Sequence, residues 1–360
     1  MSPSCLNTAC VIFVLICCAA QSIIMEGRNI AAFLLEIRAM PSPSFCLVAD
    51  ASCDLPASAL AHPQLRILPV YVWVDSQQFV DQRDPVATQR FYRKYLSSPT
   101  AVHGRSEPMT VDEMVSAFSS QLALQFDQML GVFVAASRSA IYQRAKTAVA
   151  RARVESFNMR ARAGKVAVLQ ADCVDSQAFF AGYGVQVLEL LDLVDTGADI
   201  NQIIARQSTI APQTYTYMAP SDVGYILQRA SLKGDKSVSA LAGFAAKALG
   251  ITPILSAHMG VTEPVGRKLG KLKAREAIVE MALRMLKNGL LLSKHMCFSY
   301  SGALEDIETL ESFKNLQNDA CQAGITVNLT PMSMTGSVNV GPGALVLGVL
   351  AKQHIVGDLL

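Results

Sequence analysis

Short apolar runs alternate with segments of helical spacing from Phe45 onward. Four runs predict strands because they are short, apolar and rich in branched residues: FCLVAD (45–50), LRILPVYVWV (65–74), MLGVFVAAS (129–137) and KVAVLQAD (165–172). The segments between them repeat apolar residues every three to four positions, which predicts helices over 84–96, 110–124, 140–156 and 176–194. Thr110 is followed three residues later by Glu113, a spacing that predicts a capping box at the start of the second of these helices. This alternation predicts a mostly parallel sheet with helices on both faces.

The pattern of predicted strands and helices changes after about residue 210. Strands are predicted over 214–220, 251–260, 294–301 and 325–333, and helices over 221–232, 242–250, 271–289 and 304–320. The polar stretch 233–239 predicts a loop, and 339–351 predicts a turn that leads into a final helix. We therefore expect two domains, over 44–210 and 211–360.

The segment ACVIFVLICCAAQSIIM (9–25) is apolar almost without interruption. It is short for a bilayer span, and no Lys or Arg precedes Arg28, as a secretory signal would need. An alternative is that translation starts downstream, at Met25 or Met40. We favour the downstream start over a membrane anchor and expect residues 1–43 to lie outside the fold.

The composition excludes several classes of function. The 360 residues are 51% hydrophobic and carry 31 basic and 29 acidic residues, with no run of Lys or Arg, so no nucleic-acid partner is expected. The chain has nine cysteines but no CxxC pair, and no histidine lies at zinc-ligand spacing from them. We expect reduced thiols, a cytoplasmic location, and neither metal nor cofactor.

The usual catalytic signatures are missing: the chain contains no GxSxG elbow, no Walker A sequence and no HExxH. Asp50 and Asp54 suit turns and caps at least as well as an acid/base pair. Of the five histidines, only His103 and His258 lie in segments that could line a cleft. The residues therefore favour a binding protein over an enzyme.

Polar clusters nevertheless fall where α/β proteins bind ligands, at the predicted ends of strands. They are VADASCDLP (48–56), HGRSEP (103–108), ASRSAIYQ (136–143) and NVGPG (339–343). Ser139 opens the helix predicted over 140–156, where it could simply cap the helix or could help to hold an anion. Taken alone, Ser139 fits a cap.

The order and spacing of these clusters resemble the DegV family, from about Phe45 to the C-terminus. Residues 50–56 are similar to its aspartate-rich opening turn, and residues 105–109 and 139–143 to its Thr-Ser-Gln-Pro-Ser and Ser-Gly-Thr-Tyr-Gln motifs. Asp81 and Asp172 match two further aspartates, and residues 341–343 match the closing Gly-Pro-Gly. The motifs are weak singly, and their fixed order makes them specific.

The resemblance implies two α/β domains, the first a three-layer α/β/α domain with a mostly parallel sheet and the second with a mixed sheet. It implies a protein that is not an enzyme and that binds a long-chain fatty acid in a tunnel between the domains, with the carboxylate near Ser106 and Ser139. A fatty acid kinase catalytic subunit is the implied protein partner, and membrane contact is expected to be transient at most. The implied ligand-binding residues are Arg105, Ser106, Ser139, Ala140, Tyr300, Asn339 and Gly341.

The sequence departs from the family pattern within that set. Arg105 replaces a threonine, Ala140 and Ile141 replace Gly-Thr, and Tyr300 and Asn339 stand where the family has histidines. Arg105 either faces solvent, which is commoner for a loop arginine, or pairs with the ligand carboxylate.

Two other classes stay open. One is an enzyme that acts on a small phosphorylated or acyl substrate at the same strand ends, with Asp50 or His258 as base. The other is a regulatory or membrane-associated protein, which depends on residues 9–25.

Overall fold

The computed structural model describes residues 44–95, 103–165, 168–233 and 250–354, which fall in one compact unit. The apolar leader lies outside these ranges, as do the predicted loop 233–239 except Lys233 and the predicted helix 242–250 except Gly250. No helix within the described ranges has the length and apolar character needed to cross a bilayer.

The strands run in chain order. They are β1 Phe45–Asp50, β2 Leu65–Leu68, β3 Val70–Val74, β4 Gln77–Asp81, β5 Arg105–Pro108, β6 Gln128–Phe133, β7 Gln170–Asp175, β8 Thr214–Ala219, β9 Ile251–His258, β10 Val261–Leu269, β11 His295–Tyr300, β12 Thr326–Pro331 and β13 Leu345–Leu350.

The helices are numbered in the same way. They are α1 Ala57–Leu60, α2 Pro85–Tyr95, α3 Val111–Ser116, α4 Ala123–Gln125, α5 Ile141–Glu155, α6 Phe157–Arg162, α7 Phe180–Asp195, α8 Ile200–Ile210, α9 Val223–Lys233, α10 Lys271–Lys287, α11 Glu305–Glu308, α12 Glu311–Gln322 and α13 Met334–Val340, with a π turn at Ala117–Leu122 and a 3-10 turn at Ala211–Gln213.

The strands form two α/β domains, as predicted. The first contains the four-stranded sheet β2-β1-β6-β7, in which every pairing is parallel, and a small antiparallel sheet β4-β3-β5. The second contains the sheet β10-β9-β8-β13-β11-β12, and of its described pairings that of β11 with β12 is parallel and the others are antiparallel. Thr110 and Glu113 form the predicted capping box at the start of α3.

Helix α7 joins the two sheets. It follows β7 of the first sheet and packs on β13 and β11 of the second. Gly348 of β13 makes this contact possible, because a Cβ there would lie 2.1 Å from the carbonyl oxygen of Ala181. A side chain at position 348 would therefore push the helix away from the sheet.

Two predicted elements were wrong. The strand predicted over 65–74 is interrupted at Pro69, and its halves β2 and β3 enter different sheets, since proline has no N–H for a ladder. The final helix predicted over 339–351 is the strand β13, buried along its whole length between β8 and β11. A short run that is apolar on every side does not distinguish a buried strand from a buried helix.

Other elements were missed or shifted. Strands β4, β5 and β10 and helix α13 were not predicted, and the cluster at 103–108 contains strand β5 itself rather than following a strand. The fourth strand of the first sheet is Gln170–Asp175, so Asp172 lies inside it and does not end it.

Candidate functional site

A cavity of about 770 Å³ lies between the two domains. The first domain contributes Ser52, the turn from Ser137 to Ala140, and residues of β3 and β5. The second contributes side chains from β8, β9, β10, α9 and α13. The volume is within the range of roughly 300–1,000 Å³ that is usual for small-molecule sites.

Four of the residues expected at the ligand line this cavity: Ser106, Ser139, Ala140 and Asn339. Strand β5 brings in Ser106 by pairing with β3, with Ser106 opposite Val72. Helix α13 carries Asn339, whose side-chain N–H donates to the carbonyl of Thr335 at 2.7 Å. The structure therefore brings together positions that lie more than two hundred residues apart in the chain.

Ser139 has a structural role as well as a place in the lining. Its hydroxyl oxygen accepts a hydrogen bond from the backbone N–H of Ile141 at 3.3 Å, at the start of α5. The N-cap position itself is Ala140, which has no capping side chain. Ser139 thus supplies the cap that Ala140 lacks, and it also faces the cavity.

Arg105 lies outside the lining of the cavity. Its guanidinium carbon lies 4.1 Å from the centre of the Trp73 ring, and it forms an ion pair with Glu107. Both charged side chains are more than half exposed. Of the two alternatives for Arg105, this geometry matches the one in which it faces solvent.

Tyr300 and Gly341 are likewise not among the described lining residues. Tyr300 is buried and donates its hydroxyl to Asp306 at 2.8 Å, beneath the guanidinium of Arg275. Gly341 ends α13 with φ +94°, and a Cβ there would lie 2.9 Å from the ring of Tyr225. Gly341 therefore supports the cavity indirectly, through the end of α13 and its close approach to Tyr225.

Sequence reasoning missed three arginines of the lining, Arg138, Arg144 and Arg229. Arg229 is 5% exposed, and burial lowers its pKa from the usual value for arginine. It remains a cation at neutral pH, since arginine does not lose its proton in proteins. Its position three residues after Ile226, which also lines the cavity, was the available signal: a basic residue on an apolar helix face.

Each arginine is held in place by hydrogen bonds. Arg229 donates to the carbonyl of Gly104 and, at 3.4 Å, to the side-chain oxygen of Asn339. Arg144 donates to the carbonyls of Pro108 and Met109 at 3.0 and 2.9 Å. Gly104 is two residues before Ser106, so the Arg229 guanidinium lies near the start of β5, the strand that carries Ser106.

Arg138 bridges the two domains across the cavity. It donates to the hydroxyl of Thr262 in β10 at 2.6 Å, and its guanidinium lies 5.6 Å from the centre of the Phe179 ring. The neighbouring Ser137 donates to the carbonyl of Gly260 at 3.2 Å. These contacts join the turn before α5 to the β9–β10 hairpin.

The charged side chains that line the cavity are all cationic among the described residues. Among its described lining residues there are three arginines and no Asp or Glu. The remaining lining combines hydroxyl and amide side chains with apolar ones from Val70, Phe179, Phe180, Met218 and Leu255. An apolar cavity with fixed cations is suited to an amphipathic anion, because a buried negative charge must be paired.

A model of the DegV family matches residues 44–352. The chain belongs to the DegV family. It is 31% identical over 309 residues to a DegV domain-containing protein of Xanthomonas axonopodis pv. citri. The aligned region covers 86% of this chain and 98% of that protein.

Solved structures share the DegV fold at lower identity. A fatty-acid-binding DegV protein of Thermus thermophilus has a TM-score of 0.62 and 18% identity, over 86% of this chain and 99% of its own. A stearic acid-binding protein of Eubacterium ventriosum has a TM-score of 0.66 and 16% identity, over 86% of this chain and 98% of its own. The fatty acid kinase B3 protein of Streptococcus pneumoniae, solved with linoleic acid, has a TM-score of 0.65 and 16% identity, over 86% of this chain and 100% of its own.

Two buried carboxylates of this DegV chain position α13 against the first domain. Asp54 accepts from the backbone N–H of Ser333 at 2.8 Å, and Asp81 accepts from both the N–H and the hydroxyl of Thr335 at 2.8 Å. Arg83 lies beside them, with a guanidinium nitrogen 3.6 Å from the Asp54 carboxylate. Burial raises the pKa of Asp54, and it raises the pKa of Asp81 from 3.8 to about 6.

The two bases considered for an enzyme have structural roles. Asp50 is buried and accepts hydrogen bonds from Ser52 and from the backbone N–H of Val134, and burial raises its pKa. His258 contacts the carbonyl of Thr214 through Nδ1 at 3.1 Å and stacks on Tyr215. Neither is among the described residues that line the cavity.

Within the described ranges, no cluster of three or more His, Cys, Asp or Glu side chains has the geometry of a metal site. The described cysteines are free thiols: Cys46, Cys53, Cys173 and Cys297 are buried, and Cys321 is exposed.

Proposed function

We propose that this chain binds a long-chain fatty acid in the cavity between its two domains, with the carboxylate held near Ser106 and Ser139. The observation that supports this most directly is the lining, which combines apolar side chains with three arginines and lacks a described carboxylate. A fatty acid has the matching chemistry, one anionic head and a long apolar tail. The fatty acids named for the solved DegV relatives support the same class of ligand.

The acyl chain supplies most of the free energy of binding. Each methylene removed from water contributes about 0.8 kcal/mol, so a chain of about sixteen carbons gains on the order of 10 kcal/mol before ordering costs. Phe179, Phe180, Met218 and Leu255 offer apolar surface from both domains to receive it.

The head group needs donors, because a carboxylate has about four lone-pair sites. We assign these donors to the hydroxyls of Ser106 and Ser139 and to the guanidinium of Arg229, which lies near the start of β5. In this arrangement Arg229 takes the role that a histidine has in the family pattern, whereas Tyr300 is engaged with Asp306 and Arg105 with Glu107.

The fatty acid kinase B3 protein among the structural relatives suggests a partner. We propose that this chain can present its fatty acid to a kinase catalytic subunit, in the cytoplasm. An enzyme that acts on a small phosphorylated or acyl substrate is the weaker candidate, because Asp50 and His258 are engaged in structural hydrogen bonds and neither is among the described lining residues.

Mass spectrometry of lipids extracted from purified, folded protein tests the proposal. We expect close to one fatty acid per chain. Ile226 lines the cavity and is buried, so Ile226→Trp should fill the acyl site and lower the occupancy severalfold. Val86→Trp is the control, since Val86 is 72% exposed on α2. Only background lipid in the folded parent protein would refute the proposal.

A comparison of a fatty acid with the fatty alcohol of equal length tests the head-group assignment. A site with a fixed guanidinium should prefer the carboxylate by about ten- to hundredfold, the equivalent of one charge-assisted hydrogen bond. Equal affinity for the two ligands would mean that the tail alone determines binding.

A further inference from the structure

A short basic segment joins strand β10 of the second sheet to helix α10. Residues 267–273, here called the basic turn, read Arg-Lys-Leu-Gly-Lys-Leu-Lys, with four cations and no acidic residue. The net charge of the whole chain is only +2. Among the described strands, β10 pairs only with β9 and so lies at the edge of its sheet where it enters the turn. The basic turn therefore places four cations close together at this edge of the sheet.

The two leucines of the basic turn are exposed. Leu269 is 66% and Leu272 is 55% exposed, and the two lie three positions apart in the chain. None of the four cations forms an ion pair with a residue in the described part of the chain. The basic turn thus presents exposed apolar side chains, and cations without an ion-pair partner among the described residues.

Fold stability does not account for this composition. Lys271 and Lys273 lie in the first turn of α10, where the positive end of the helix disfavours cations, and Gly270 offers no capping side chain. A lysine such as Lys268 can protect an edge strand from pairing with another chain. That protection does not explain the exposed leucines, which favour association.

We propose that the basic turn docks on a membrane surface that contains anionic lipids. The charge complementarity supports this occupant: four cations face the negative phosphates, while the two leucines enter the boundary between head groups and acyl chains. Thr262, which lines the cavity, lies five residues before Arg267 on the same strand, a separation of roughly 16 Å. Docking here would bring the cavity close to the membrane, but it does not require that the cavity hold a fatty acid.

Co-sedimentation with vesicles tests the docking surface in the full-length protein. Vesicles of phosphatidylcholine with phosphatidylglycerol are compared with pure phosphatidylcholine, at about 0.1 and about 0.5 M sodium chloride. We expect binding only to the anionic vesicles and weaker binding at the higher salt concentration. Lys271→Gln with Lys273→Gln should reduce the partition coefficient by roughly fivefold for each lysine.

The leucines are tested separately from the charges. Leu269→Ser with Leu272→Ser leaves the charge unchanged and should reduce partition by at least roughly tenfold, because both side chains lose their apolar contact. The matched controls are Lys146→Gln with Lys314→Gln for charge and Val86→Ser with Val154→Ser for exposed apolar residues on other helices. Both control pairs should partition like the parent protein.

Several results would overturn the docking surface. Equal losses in the test and control pairs would mean that general surface charge or hydrophobicity is responsible. A concentration-dependent dimer that is lost only in the leucine pair, with no vesicle binding, would identify a second copy as the occupant. Binding to a DNA oligonucleotide at the affinity found for anionic vesicles, insensitive to the leucines, would identify a polyanion site. None of these readouts depends on fatty acid in the cavity.

Discussion

The carboxylate of Asp81 in the first domain accepts two hydrogen bonds from Thr335 in the second. Thr335 donates its backbone N–H and its hydroxyl, both at 2.8 Å. Thr335 lines the cavity from helix α13, together with Asn339 and Val340. A buried carboxylate thus fixes the position of one cavity wall relative to the other domain.

The pKa of Asp81 predicts a pH dependence of stability. Burial raises this pKa from 3.8 to about 6, so the folded state holds the proton more tightly than the unfolded state does. The stabilising contribution is therefore fully present below about pH 4 and is lost as the pH rises through about 6, by on the order of 3 kcal/mol.

Asp81→Asn tests this dependence, because asparagine keeps an acceptor for Thr335 and does not titrate. Urea unfolding at several pH values should show the parent protein losing stability relative to Asp81→Asn between about pH 4 and 6.5. Asp84→Asn is the control, an exposed carboxylate that also accepts a backbone hydrogen bond, from Ala87. A constant difference between parent and Asp81→Asn across this range would contradict the assignment.

Arg229→Gln should weaken fatty acid binding by about ten- to hundredfold, because a buried carboxylate loses a charged donor. Arg229→Lys keeps the charge and should recover part of the affinity. Titration with a fluorescent fatty acid measures both variants, and the fatty alcohol of equal length serves as the neutral control ligand. A variant that loses affinity for acid and alcohol alike has a damaged cavity rather than a missing head-group partner.

Ser139→Ala separates the two roles of this serine. As a ligand donor, Ser139 should contribute about 1–3 kcal/mol to binding. As a cap for Ile141, it should contribute about 1 kcal/mol to stability. Isothermal titration and thermal unfolding measure the two effects, with Ser208→Ala on the exposed face of α8 as control. If only the melting temperature falls, Ser139 is a helix cap.

Arg105→Thr, which restores the residue type of the family, should leave fatty acid affinity unchanged between about pH 5.5 and 8, since its guanidinium packs on Trp73. Trp73 is the only tryptophan, so its fluorescence should change in this variant whether or not ligand is present. Weaker binding by Arg105→Thr would mean that Arg105 takes part in holding the ligand.

Gly341→Ala should lower the free energy of unfolding by more than the cost of its backbone conformation. Its φ of +94° alone costs about 1 kcal/mol with a side chain, and the new methyl would press on Tyr225. Gly164→Ala is the matched control, because Gly164 has φ +69° and open space around it. Equal losses in the two variants would mean that the Tyr225 contact adds nothing.

Local periodicity determined which segments of this chain form most helices and strands, and the order of the weak motifs determined the family. The alternation of apolar runs and amphipathic helices predicted the parallel sheet of the first domain, and residues 110–113 predicted a cap that forms as expected. These features depend on neighbours in sequence, so a single chain is enough to reveal them.

Tertiary structure alone decided which polar residues share the cavity. Arg229 and Ser106 belong to different domains, and nothing in either local sequence links them. Arg105 is adjacent to Ser106, yet alternation along β5 turns its side chain toward Trp73 and away from the cavity. Side-chain direction and the pairing of distant segments follow from sheet register and domain packing, which depend on contacts far apart in the sequence.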